Sequence, residues 1–138
     1  GLAMPEMRIR AAVAVVQAGR ILLVPHYDTE AGPVQWTVPG GRVAFGEPVR
    51  VAAAREFREE TGLTARIGDV LAVSEVIQPG YHSLTITFAG TITGGTLHAK
   101  PDHPHGDKTP RWLSADDRAG VPYHPPDGVA RALGLAAQ

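Results

Sequence analysis

Pro48-Val49-Arg50-Val51-Ala52-Ala53-Ala54-Arg55-Glu56-Phe57-Arg58-Glu59-Glu60-Thr61-Gly62 reads as one helix with both of its ends written in. Proline suits the first helical position, where its missing N–H costs nothing. The three alanines are strong helix formers. Gly62 suits the left-handed residue just past the C-terminus. At about 100° per residue, Glu56, Glu59 and Glu60 fall within an arc of roughly 100° on one face. Val49, Ala52 and Ala53 share that side one to two turns earlier, while Arg50, Ala54 and Arg58 lie round the back. The acids are therefore expected to extend the face that packs inward, not the outward face where solvated glutamates sit.

Their place along the helix is unfavourable for stability. A helix C-terminus carries partial negative charge, and a carboxylate there costs some tenths of a kcal/mol. Glu56 and Glu60 are in addition a like-charge i,i+4 pair. Arg55 can offset Glu59 at the same spacing, but one guanidinium cannot neutralise three carboxylates. A divalent cation is the natural source of the missing charge, and all-oxygen ligands favour Mg²⁺ or Mn²⁺ over zinc. Taken alone, three glutamates in five positions also fit a solvated acidic helix end. The inward face, the dipole conflict and the preceding Pro39-Gly40-Gly41, read as a tight turn where backbone can approach a ligand, weigh against that.

On either side of the helix the chain is rich in strand signals. Ile9 to Val16 suits a buried strand, Gln17 to Arg20 a turn, and Ile21 to Val24 and Gln35 to Val38 further strands. Ala65 to Ile77 and Ser83 to Thr93 are longer; Leu84, Ile86 and Phe88 alternate with Thr85 and Thr87 as in a half-buried strand. Arg111-Trp112-Leu113 reads as a short strand, Ser114 to Asp117 as a capping box opening a helix that ends at Gly120, and Asp127 as the cap of a last helix with Val129, Leu133 and Ala137 on one stripe. The 138 residues give about one domain, 1–138, with Gly1-Leu2-Ala3 ahead of Met4 read as a cloning remnant. A hydrophobic share of 43% against 20% charged residues is that of a globular chain, not a disordered one. A formal net charge of -1 argues against binding a nucleic-acid polymer through bulk charge. With no cysteine, disulfides, thiolate zinc sites and cysteine nucleophiles are excluded. The aliphatic run Ala11 to Val16 is far short of a bilayer span, and no leader is visible, so a cytoplasmic protein is expected.

Gly41-x5-Glu47-x7-Arg55-Glu56-Phe57-x-Glu59-Glu60-x-Gly62-Leu63 matches the Nudix box at every defined position. With Trp36-Thr37-Val38-Pro39-Gly40-Gly41 ahead of it and Arg111-Trp112-Leu113-Ser114 late in the chain, the sequence resembles a small MutT-like Nudix domain. The resemblance implies an α/β/α sandwich with a mixed β-sheet and a central catalytic helix. It implies hydrolysis of a nucleoside diphosphate linked to another moiety, with Glu56, Glu59 and Glu60 binding the cations and Arg55 holding a glutamate in place by an ion pair. Glu47 and the Gly41 carbonyl are implied as auxiliary metal ligands, and Phe57 and Leu63 as core.

In that family the base that takes a proton from water lies on the helix or on a distal loop; here the distal candidates are Asp107 and Asp102. His103-Pro104-His105 beside them has the makings of a second, nitrogen-containing metal site, or of exposed loop filler. Tyr27, Trp36, Tyr81, His82 and Trp112 are candidates to stack on a base or simply to pack, with Tyr27, Tyr81 and His82 carried as substrate residues. Pro79 and Tyr81 point to different subfamilies, one cleaving ADP-ribose and one dinucleoside polyphosphates. The leading expectation is a Mg²⁺- or Mn²⁺-dependent pyrophosphohydrolase of a (d)NTP or nucleotide sugar, with a homodimer left open. The alternatives are an ADP-ribose pyrophosphatase and a non-catalytic nucleotide-sensing module; the retained glutamates and the short chain speak against the second.

Overall fold

Strand β1 (Glu6–Ala14) runs through the middle of the molecule, and its two faces organise everything else. The computed structural model describes residues 4–27, 35–99 and 106–136. After β1 come β2 (Val16–Gln17), β3 (Arg20–His26), β4 (Gln35–Thr37) and β5 (Gly40–Arg42). Helix α1 (Val49–Thr61) leads into β6 (Leu63–Gln78) and β7 (Tyr81–Gly95). The chain closes with β8 (Arg111–Leu113), α2 (Ala115–Arg118), β9 (Tyr123–His124) and α3 (Pro126–Ala136). The first sheet has the order β5-β1-β7-β6 and is mixed, with β1 parallel to β7 and the other pairs antiparallel. The second has the order β2-β3-β4-β9, with β8 also on β3.

Successive side chains of a strand point to opposite faces. Ala11, Val13 and Val15 therefore meet Ala52, Ala53 and Phe57 of α1, while Ala12 and Ala14 meet Val129 and Ala132 of α3 and Ile21 and Leu23 of β3. Burial on both sides explains why β1 is a continuous apolar run and not an alternating one. Phe57 is fully buried, which contributes about 1.5–3 kcal/mol. The layers are thus helix, sheet, and a second sheet with the last helix, the α/β/α sandwich expected.

The differences from the sequence reading are local. Gly40 and Gly41 do not turn; they form a strand paired with Ala12 and Ala11 of β1. Pro48 caps α1 instead of starting it, its carbonyl accepting from the Ala52 N–H at 3.0 Å. Asp127 lies inside the first turn of α3, and the Pro125 carbonyl accepts from Val129 instead. Ser114 and Asp117 do form the capping box. Strand β6 starts directly at Leu63 and carries three register shifts, so its hydrophobic pattern is not a clean alternation. No helix among the described residues is long and apolar enough to cross a membrane.

Candidate functional site

The C-terminal half of α1 stands beside β5, and the loop between them (43–48) folds back along the helix. Ala52, Ala53, Phe57 and Thr61 form its buried stripe. Glu56 and Glu60 flank that stripe, half-buried, but Glu59 is exposed, so the three acids are not all on the inward face. Gly62 closes the helix at φ 76°, and its N–H donates to the Arg58 carbonyl at 2.8 Å.

Arg55 is the centre of the acidic cluster. Its Nε and Nη2 donate to the two oxygens of Glu47 at 2.7 and 2.9 Å, a forked pair. Its Nη1 donates to Glu56 at 2.8 Å and to Glu59 at 3.2 Å, and Nη2 also reaches the Arg42 carbonyl at 3.1 Å. The expected i,i+4 pair with Glu59 is present but is the longest of these ionic contacts; the principal partner is Glu47. Glu47 also accepts from the Ala44 N–H at 3.0 Å. Hydrogen bonds from Arg55 and Ala44 hold its carboxyl down at about 2. The same partners, Glu47 first and then Glu56, push the Arg55 guanidinium above its ordinary range.

Gly41 approaches Glu56 so closely that a methyl there would fall on the carboxylate. The glycine signal thus reflects close approach to the Glu56 carboxylate, not a turn. Glu60 looks the other way, into a cleft of about 530 Å³ between the two sheets. Arg10, Ser83, Thr85 and Tyr81 line one wall, and Gln35, Thr37 and His124 the other. Lys108 closes the rim, its Nζ donating to the Pro25 carbonyl at 2.7 Å. Among the described residues no three carboxylates or imidazoles converge into a ready-made metal cage. The donor set nevertheless fits a hard divalent cation, being all oxygen and gathered at one helix end.

The other expected residues are distributed as follows. The Asp107 carboxylate accepts from both the Thr109 N–H and its hydroxyl, which lowers its proton affinity, and its backbone carbonyl accepts from Tyr27. Tyr27 thereby ties the end of β3 to the segment ahead of β8. Tyr81 lies on the cleft with the Arg8 guanidinium 5.5 Å from its ring centroid. His82 points to the opposite face and pairs with Glu75 at 2.7 Å. Trp36 and Trp112 pack against the two core clusters. Asp102 and His103-Pro104-His105 lie outside the described residues.

The sequence reading missed Arg10, Ser83, Thr85, Lys108 and His124. The alternation on β7 was the available signal. Its polar stripe is buried, with Ser83 4%, Thr85 7% and Thr87 0% exposed, and so marks an internal polar face and not a solvent face.

A family model of the NUDIX domain matches residues 7–130. A Mycobacterium tuberculosis protein provisionally named 8-oxo-dGTP diphosphatase 2 is 35% identical over 127 residues, covering 87% of this chain and 82% of the relative. An ADP-ribose pyrophosphatase of the same organism is 35% identical over 112 residues, covering 79% of this chain and 53% of that protein. The crystal structure of a MutT NUDIX hydrolase from Burkholderia pseudomallei superposes with a TM-score of 0.71 at 29% identity, covering 94% of this chain and 97% of that one. The chain spans between 28% and 62% of the length of several other curated relatives that it matches.

Proposed function

The chain belongs to the Nudix family, and we propose that it is a divalent-metal-dependent pyrophosphohydrolase that cleaves a nucleoside diphosphate linked to another moiety. The observation that carries this reading is the Arg55 network, which fixes Glu47, Glu56 and Glu59 at the end of α1 while Glu60 enters a polar cleft. On this reading Glu56, Glu59, Glu60 and the Gly41 carbonyl would hold Mg²⁺ or Mn²⁺, which when bound neutralises charge on the pyrophosphate oxygens. Glu47 is engaged by Arg55 and Ala44, which suits it to positioning more than to ligation. Asp107 is similarly committed to Thr109, which makes it a weak base. The residues of the cleft bind and orient the substrate, and its modest volume suits a small molecule and not a polymer. A cytoplasmic setting, where nucleotides are abundant, belongs to the same reading.

The test is a panel of dNTPs, 8-oxo-dGTP, ADP-ribose and nucleotide sugars with excess Mg²⁺, the products identified. At least one member should be cleaved at the pyrophosphate, cleavage should stop with EDTA, and Glu60→Gln should lose at least about 100-fold in kcat, as expected for a misplaced or missing catalytic group. Tight nucleotide binding without any hydrolysis would favour the sensing module instead.

A further inference from the structure

Glu6, Arg8 and Arg10 share one side of β1, and its partner strand β5 adds Arg42; of these four, Arg10 lines the cleft. Glu6 serves two of these cations. It binds Arg8 at 2.7 Å and Arg42 at 3.5 Å. Arg10, half-buried and next along the same face, has no carboxylate within ion-pair distance among the described residues. It faces Thr85 across the strand pairing, beside Ser83, and both of these hydroxyl residues are buried. From the opposite sheet His124 lines the same cleft, where burial first and then the Arg10 charge lower its proton affinity. Lys108 adds an ammonium at the rim. Against Arg10 and Lys108 the described lining sets one carboxylate, Glu60, and besides the imidazoles of His26 and His124 it includes one aromatic ring, Tyr81, over which Arg8 already lies. A pocket for a flat base ordinarily offers stacking faces. This one offers hydrogen-bond donors and positive charge.

We propose that Arg10, with Ser83 and Thr85 beside it and His124 opposite, receives an anionic group on the substrate moiety that lies beyond the scissile pyrophosphate. The assignment rests on the reading that the cleft takes that part of the substrate. The anionic oxygens can belong to a carboxylate, as in a nucleoside diphosphate hexuronate, or to an additional phosphate on a sugar hydroxyl.

Affinities measured in metal-free protein by calorimetry separate these, and isolate the cleft from catalysis. One pair is UDP-glucose and UDP-glucuronate; the other is ADP-ribose and ADP-ribose 1″-phosphate, whose extra phosphate is on the terminal ribose. In one pair the anion-bearing member should bind about tenfold tighter or more, the effect of one charge-assisted hydrogen bond, and the responding pair identifies the anion. Arg10→Met should reduce that ratio below about twofold, Arg10→Lys should keep part of it, and Arg58→Met, on the exposed back of α1, should leave it intact. On binding, the His124 imidazole signals should shift with the preferred member. Equal affinities in both pairs, no binding of any of the four, or a preference that survives Arg10→Met would overturn the assignment. The wild-type comparison decides even where a variant does not fold. Adding Mg²⁺ tests the hydrolase reading apart from this: discrimination without cleavage sinks that reading alone, and cleavage without discrimination sinks this one alone.

Discussion

Arg55 satisfies three carboxylates and a backbone carbonyl with one planar group, and lysine cannot reproduce that fork. The side chain is 36% exposed, so solvent screens its charge and each pair alone is worth little stability. Positioning matters more, because a small displacement of a catalytic group can cost about 100-fold in rate. Arg55→Lys should therefore fold, melt within a few degrees of the parent and lose at least about tenfold in kcat, whereas Arg58→Lys should be nearly silent. Equal small effects at both positions in a kinetic comparison would reduce Arg55 to surface charge. Glu47 supplies a second check. Its carboxyl titrates near about 2 in the folded protein and near about 4.3 unfolded, so its contribution is complete above the unfolded value and fades as pH falls toward the folded one. Thermal melts of wild type and Glu47→Gln should thus differ by a constant amount above about pH 5 and converge as pH is lowered toward 2. The spacing of the helix was enough to read the Arg55–Glu59 contact. The stronger Glu47 contact crosses a loop, and periodicity says nothing about how a loop folds back.

At the scale of elements, α1 was legible because its period, its alanines and its terminal glycine agree with one another. Its stop is also testable. Gly62 sits at φ 76°, and a methyl there would run into the Thr96 carbonyl and the His98 ring. A left-handed conformation costs a non-glycine residue roughly 1–2 kcal/mol before any clash. Gly62→Ala should lower the melting temperature by several degrees or more, and an unchanged melt would show that the helix end repacks freely. The elements that escaped the sequence are the short ones. β5 and β9 have three and two residues, too few for a period, and exist because a neighbouring strand supplies their partners. The same holds for the ends of β1, β6 and β7, which pairing carries beyond the apolar runs that marked their centres.

At the scale of the whole molecule, β7 shows why a half-polar strand need not have a wet face. Its apolar side meets α1, and its Ser/Thr side looks toward the second sheet and α3, so the alternation divides a core from a cleft. Ser83 and Thr85 reach that cleft, while Thr87 continues the stripe beneath Gly128 of α3, fully buried. The Thr87 hydroxyl oxygen has no hydrogen-bond partner among the described residues. A buried hydroxyl left unpaired costs about 1–3 kcal/mol, and valine fills nearly the same space with a methyl in its place. Thr87→Val should therefore leave stability unchanged or raise it by up to about 1 kcal/mol in a denaturant titration, with activity retained. Thr85→Val, next on the same face and lining the cleft, should keep the fold but weaken binding of a substrate that enters that cleft. A clear loss of stability in Thr87→Val would mean that its hydroxyl is satisfied in solution, and that the polar stripe of β7 is hydrated along its whole length instead of ending at the cleft.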